Sequence, residues 1–252
     1  MIEIKNLKKS FGDLLVWEGV SFTIEEGEIT AIIGRSGCGK SVLLKHINAL
    51  LNPDEGEVII DGENIFELDY VDKRLLRHQF GVLFQGSALF DSINTFENVA
   101  FPLRYFTNQT EEEIHENVIR ALRYVNLEKA AMQETAELSG GMRKRVGLAR
   151  AIILEPKYIM YDEPTSGLDP QTADEINGLI LDMASQFDVT SIVVTHDMHS
   201  VLEVADKVAF LDQQKLSWHG TLDEMKQSNQ ENLVDFITAS EYQIKQKKNE
   251  FE

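Results

Sequence analysis

Short apolar runs alternate with turn and helix signals along this chain of 252 residues. Residues 2–7, 20–24 and 58–60 are rich in Ile, Val and Phe and predict strands, with Gly12, Gly27, Gly56 and Gly62 in the turns between them. Residues 29–33 form a nearly continuous apolar run that ends in a glycine loop, the pattern of a buried strand. Residues 39–50 then predict a helix, with Pro53 beyond its end. In the middle third, Thr110 and Glu113 form a capping box, in which the Thr110 hydroxyl accepts from the Glu113 amide. Ile114, Val118, Ala121, Leu122 and Val125 follow as one helical stripe, and the acidic residues between them predict its solvated face. Residues 140–153 predict another helix. In the last third, residues 158–161, 191–195 and 208–211 read as strands and residues 198–205 as a helix. Asp169 followed by Pro170 is a helix start, a cap with proline at the first helical position. This alternation predicts an α/β fold with a parallel sheet and crossover helices. From about residue 226 the chain turns polar, with Lys245, Lys247 and Lys248 near its end.

Composition narrows the range of functions. Apolar residues make up 43% and charged residues 26%, an ordinary globular mixture. Lys and Arg number 24 against 42 Asp and Glu, a net charge of −18, which argues against nonspecific adsorption to nucleic acid or anionic membranes. The single cysteine forms no intrachain disulfide, and a reducing cytosol fits it. The N-terminal segment has no apolar signal core, and no stretch approaches the roughly 18 apolar residues of a membrane span, so the chain is expected not to cross a membrane itself.

Three segments carry chemistry. Gly34, Arg35, Ser36, Gly37, Cys38, Gly39, Lys40 and Ser41 match the phosphate-loop pattern, with a strand before and a helix after. Its glycines let backbone N–H groups converge on one anion, and the following helix adds its positive end. Lys40 would reach the β- and γ-phosphates, and the Ser41 hydroxyl would bind Mg²⁺. Asp162 and Glu163 end an apolar strand; Asp162 suits a Mg²⁺ role and Glu163 a general base toward water. Leu138, Ser139, Gly140, Gly141 and Met142 open the helix that carries Arg143, Lys144 and Arg145. Ser139 with the Gly140 and Gly141 amides would form a second anion site, although Ser139 as a plain N-cap also explains the segment.

In order and spacing the set resembles the ATP-binding cassette (ABC) ATPases: Phe11, the phosphate loop, Gln85, residues 138–142, Asp162 with Glu163, then Ser166, Gly167, Leu168 and Asp169, then His196. The resemblance covers roughly residues 1–225 and leaves 226–252 as a C-terminal extension. It implies a P-loop NTPase (RecA-like) core with a mostly parallel sheet, an antiparallel β subdomain and an inserted α-helical subdomain at about 87–157. It also implies a homodimer that holds two ATP molecules head to tail, with Ser139 of one copy on the γ-phosphate held by the other. Gln85 then corresponds to the glutamine that senses Mg²⁺ and water, and His196 to the switch histidine beside Glu163. Phe11 corresponds to the ring that stacks on adenine, and residues 166–169 to the dimer loop. Outside the resemblance, the plainer readings are a core aromatic for Phe11, with stacking preferred, and a helix cap for Asp169. His199 reads as a surface histidine rather than a metal ligand. Cys38 lies among amides that would lower its thiol pKa.

Leu89, Phe90, Phe96 and Phe101 are many apolar groups for a segment after such a glutamine. In the ABC family a groove here receives a short helix of the membrane permease. Most of these side chains are expected to pack inside the helical subdomain, with a minority forming the groove. Residues 34–47, 84–104 and 138–150 further resemble the Mla-type ATPases of Gram-negative phospholipid-trafficking transporters, and Met142, where most ABC proteins have Gln, agrees with that subgroup. This implies a phospholipid cargo, an integral inner-membrane permease, an MCE-domain periplasmic protein and a small STAS-domain cytoplasmic protein. The chain itself would sit on the cytoplasmic side of the bacterial inner membrane. The alternatives are an ABC ATPase for another solute class, such as amino acids or metal chelates, a non-transport ABC protein acting on nucleic acid, and a P-loop kinase.

Overall fold

The apolar runs of the sequence all become strands or helices in the structure, a computed structural model that describes residues 1–249, with side chains through residue 240. In chain order these are β1 (Ile2–Phe11), β2 (Leu14–Ile24), β3 (Ile29–Gly34), α1 (Lys40–Ile47), β4 (Glu55–Ile60) and β5 (Glu63–Asn64). There follow α2 (Tyr70–His78), β6 (Phe80–Leu83), α3 (Thr95–Phe106), α4 (Glu111–Tyr124), α5 (Gly140–Ile152) and β7 (Tyr158–Asp162). The chain closes with α6 (Pro170–Phe187), β8 (Thr190–Thr195), α7 (Met198–Val204), β9 (Lys207–Asp212), β10 (Lys215–Thr221), α8 (Leu222–Gln227) and α9 (Glu231–Asn249). It divides into two units, residues 1–73 with 193–252, and residues 74–192.

In the first unit, β2, β1, β4 and β5 form an antiparallel sheet in that order. Strand β9 pairs in parallel with β3 and antiparallel with β10. Parallel strands joined through helices place the chain in the α/β class. Gly56 corrects the sequence reading: it lies inside β4, not in a turn. Its φ of 92° and the carbonyl of Asn6, 2.3 Å from where a Cβ would stand, mark an irregularity where the β1–β4 register shifts between Lys5 and Lys8. Ala31, Ile33, Val208 and Phe210 form a core with Met198, Val201 and Met225. Leu233 and Phe236 of α9 are buried in the same core, with the rings of Phe236 and Phe210 5.1 Å apart. The polar-looking extension therefore begins with an apolar anchor that its composition conceals. Residues 250–252 and the side chains of Lys245, Lys247 and Lys248 lie outside the described residues.

In the second unit, β6 and β7 pair in parallel, Phe80 with Tyr158 through Leu83 with Tyr161. Helix α5 packs against β6, α3, α4 and α6. The predicted capping box is present: Thr110 accepts from the Glu113 amide, and the Glu113 carboxylate accepts from the Thr110 amide. Ile114, Val118, Ala121, Leu122 and Val125 are all buried, with Val125 as the C-cap. Asn94 caps α3 and Asp169 caps α6.

The segment after Gln85 departs from expectation. None of Leu89, Phe90, Phe96 and Phe101 is buried, and Phe90 and Phe101 are 43% and 40% exposed. Polar contacts organise the loop around Phe90. The buried Asn98 side chain accepts from the Phe90 amide and donates to the Phe90, Ile93 and Asn94 carbonyls and to the Thr135 hydroxyl. The rings of Phe90, Phe101, Tyr105 and Phe106 form a continuous surface chain. No helix among the described residues is long and apolar enough to cross a membrane.

Candidate functional site

The first unit holds the phosphate loop. Strand β3 is buried along its whole length and delivers the chain at Gly34 into the loop. Gly34 has φ 153°, and a Cβ there would stand 2.4 Å from the Leu211 carbonyl oxygen and 2.7 Å from Cys38 Sγ, so this close approach requires glycine. Arg35, Ser36, Gly37, Cys38 and Gly39 close the loop, with the Cys38 amide donating to the Arg35 carbonyl at 3.2 Å. Trp17, buried in β2, donates from Nε1 to the Cys38 carbonyl at 3.3 Å and braces the loop from behind. Lys40, the first residue of α1, is buried with its Nζ donating to the carbonyls of Gly34 at 2.9 Å and Arg35 at 3.2 Å. An ammonium is thus held inside the turn at the positive end of a helix whose first turn carries no acid. Ser41 is exposed next to it.

Cys38 corrects the sequence reading. Burial pushes its thiol pKa up, outweighing the lowering by Lys40 and by the loop's backbone hydrogen bonds. Phe11 ends β1 exposed, with Lys9 Nζ 5.3 Å from its ring centroid, so it is not a core aromatic. His196 is exposed directly after β8, ahead of Asp197, the cap of α7. His199 is a surface residue with Glu203 at 3.9 Å.

The second unit holds the carboxylates and the Ser139 segment. Strand β7 is buried from Tyr158 to Tyr161 and presents Asp162, half-buried, and then Glu163, 9% exposed. Glu163 takes a left-handed backbone, φ 51°, which an unbranched acid adopts only under local constraint. Ser139 is exposed and caps α5, accepting from the Met142 amide at 3.2 Å. Gly140 is exposed beside it, while Gly141 is buried against Thr172 of α6. The two sequence readings of Ser139 coexist: a cap that leaves its helix end open to an anion. Ser166, Gly167, Leu168 and Asp169 form the turn into α6, where Asp169 accepts from the amide and hydroxyl of Thr172. Those two bonds, the hydroxyl's first, hold the Asp169 carboxyl below its ordinary range.

One residue of this unit has a contact that the sequence reading passed over. Lys144 of α5 is only 5% exposed, and its Nζ donates to the carbonyls of Gln85 and, at 2.9 Å, of Glu163. Burial lowers its pKa to about 8, against the opposing pull of Asp162 and Glu163. The available signal was periodicity, since Lys144 shares the buried side of α5 with Gly141, Leu148 and Ala151.

Each predicted residue thus belongs to one of two groups. Phe11, residues 34–41 and His196 lie in the first unit; Gln85, residues 139–141, Asp162, Glu163 and residues 166–169 lie in the second. The ABC transporter family model matches residues 17–166, which include the phosphate loop, the Ser139 segment and both carboxylates. The chain belongs to the ABC transporter family.

This cassette is 42% identical over 237 residues to the intermembrane phospholipid transport system ATP-binding protein MlaF of Haemophilus influenzae, covering 94% of this chain and 90% of MlaF. It is also 42% identical over 238 residues to the probable ribonucleotide transport ATP-binding protein mkl of Mycobacterium tuberculosis. That match covers 94% of this chain but spans only 66% of mkl. Among solved structures it resembles a dimeric ATP-binding cassette in a post-hydrolysis state with ADP and phosphate bound. The TM-score is 0.81 at 31% identity, covering 88% of this chain and 99% of the other. These likenesses bear out the α/β P-loop fold.

Proposed function

We propose that this chain is the ATP-hydrolysing subunit of an ABC transporter that moves phospholipid between the inner and outer membranes. The observation that carries the cargo is the match to MlaF along nearly the full length of both chains, against 66% of the Mycobacterium tuberculosis mkl. For the hydrolytic part it is the loop of residues 34–41, built around a buried lysine whose partners are carbonyls.

The residues supply the steps. Loop amides and the α1 terminus bind the phosphates, and Lys40 exchanges the Gly34 and Arg35 carbonyls for phosphate oxygens. The oxygens of Ser41, Gln85 and Asp162 are the hard donors that suit Mg²⁺. When bound, Mg²⁺ neutralises charge that develops on the phosphate oxygens. Glu163 accepts a proton from the attacking water, and His196 holds the γ-phosphate and Glu163 in register. Phe11 stacks on adenine. Ser139, Gly140 and Gly141 of a second copy complete each site, and residues 166–169 meet across the homodimer. Driving an open-to-closed balance from 1:99 to 99:1 takes about 5.5 kcal/mol of preferential ATP binding to the closed state.

The same reading places residues 87–157 as a helical subdomain whose exposed aromatic chain receives the inner-membrane permease, and residues 226–252 as an extension of a cassette spanning 1–225. An MCE-domain periplasmic protein and a STAS-domain cytoplasmic protein complete the complex, with this chain peripheral at the cytoplasmic face.

Affinity capture of the tagged chain from gently solubilised native membranes, with mass spectrometry of proteins and lipids, tests the cargo. Recovery of MCE- and STAS-domain proteins with phospholipid is expected. Recovery of a different permease with a soluble binding protein would discard the lipid cargo and leave the ATPase reading standing.

A further inference from the structure

Helix α5 does more in this molecule than present Ser139 at its first turn. Its residues 144, 147 and 150, spaced three apart, meet the segment that follows β6. Lys144 donates to the Gln85 carbonyl. Gly147 lets β6 and its following loop come close: a Cβ there would stand 2.7 Å from Leu83 Cδ1 and 3.6 Å from Ser87 Cβ. Arg150 donates to the Ser87 carbonyl at 2.6 Å and the Ala88 carbonyl at 2.8 Å.

The gripped segment needs holding. Ser87 and Ala88 both take left-handed backbones, φ 62° and 46°, each a conformation that L residues adopt only at a cost in strain. Two charged side chains satisfying three carbonyls offset that cost. Lys144 also reaches a strained residue outside this segment, since its other acceptor is the carbonyl of Glu163, φ 51°. One buried ammonium therefore joins the backbones of the metal-sensing glutamine and of the general base, on the helix that begins with Ser139.

We propose that Lys144 is a positioning residue for hydrolysis: by bonding the Gln85 and Glu163 carbonyls together, it fixes the directions in which their side chains leave the backbone, and through α5 it ties both to Ser139. This rests on the ATPase reading above. Lys144 touches no reacting atom; its effect is on geometry, and misplacement of a reacting group by about 1 Å costs on the order of a hundredfold in rate. A glutamine amide carries no charge and ends one bond short of the lysine nitrogen, whereas the guanidinium fork of arginine keeps both charge and reach.

The test uses the membrane complex captured with wild-type chain, Lys144→Gln, Lys144→Arg and Lys144→Met. Readouts are kcat and KM for ATP, ATP affinity, and hydrogen exchange at the Ser87 and Ser166 amides, which donate to the Phe84 and Glu163 carbonyls respectively. Lys144→Gln is expected to lower kcat by on the order of a hundredfold, to leave KM and ATP affinity within about twofold, and to speed exchange at both amides. Lys144→Arg is expected to restore kcat to within about threefold of wild type. A folded Lys144→Gln protein with wild-type kcat, or one whose kcat falls only in step with ATP affinity, would overturn the inference. If Lys144→Gln fails to fold, Lys144→Met, which keeps the buried apolar stem and removes both bonds, decides: the same fall in kcat at unchanged ATP affinity is expected, and wild-type kcat there overturns the inference. Wild-type complex without turnover would instead overturn the ATPase reading itself.

Discussion

Glu163 shows how much is asked of single residues here. It is a nearly buried acid with a left-handed backbone, and its carbonyl is met by a buried lysine. Such a geometry persists only where neighbours over-determine it, and it keeps the carboxylate at a defined exit from β7. Gly34 is constrained in the opposite sense, by what cannot be added to it. Because the obstacle is the Leu211 backbone carbonyl rather than a flexible side chain, Gly34→Ala must displace the loop. The expected outcome is a folded protein whose ATP affinity falls by a factor of about a hundred or more, read by calorimetric titration; wild-type affinity would show that the loop does not bind the phosphates. Both residues stood out in the sequence because their motifs fix their chemistry. Lys144 did not, because the second carbonyl it reaches is distant in sequence, and because a basic residue inside a helix normally reads as solvated surface.

Among the elements, α3 and the loop before it depend on one amide. Asn98 uses its side-chain oxygen and nitrogen on Phe90, Ile93, Asn94 and Thr135. Asn98→Ala removes the acceptor of the Phe90 amide and leaves the Phe90 and Ile93 carbonyls to share the Thr135 hydroxyl, while the Asn94 carbonyl keeps the backbone amide of residue 98. It is expected to cost about 1–3 kcal/mol in denaturant unfolding and to loosen the aromatic segment first, seen as faster exchange at the Phe90 amide. An unchanged unfolding midpoint would remove Asn98 from this role. The helices themselves were legible where local chemistry decides them: the Thr110 box, the Asp169-Pro170 start and the five-residue stripe of α4 all form as the sequence predicts. Legibility failed where distant partners decide. Gly56 looked like a turn but accommodates the Asn6 backbone within a sheet. The tail from about residue 226 reads as polar, yet its Leu233 and Phe236 complete a core begun some 200 positions earlier. Most of the four apolar residues after Gln85 were expected to pack inside, yet Leu89 and Phe96 are half-buried, Phe90 and Phe101 are exposed, and Asn98 holds the Phe90 backbone by polar contacts.

At the scale of the whole molecule, that surface chain of aromatic rings is the feature a lone cassette does not need. Exposed apolar groups clustered in this way mark a contact with another protein. Phe101→Asp introduces a charge at a ring already 40% exposed, so the fold should tolerate it. The expected result is loss of at least about nine-tenths of permease recovery on membrane capture, with ATP affinity unchanged; undiminished recovery would place the permease contact elsewhere. The net charge of −18 fits this division of labour, because association with the membrane then depends on a specific partner rather than on attraction to anionic lipid. Family membership follows from motifs and order, and the sequence carried it. The cargo reading rests instead on the likeness to MlaF along nearly its full length.

The central claim is that this chain splits ATP with Glu163 as the base. The most direct measurement is Mg²⁺-dependent phosphate release by the captured complex, comparing wild type with Glu163→Gln. The account predicts steady turnover by the wild type. For Glu163→Gln it predicts retained ATP binding and an ATP-held dimer, with turnover reduced by about a hundredfold or more. Turnover at the wild-type rate in Glu163→Gln would contradict it.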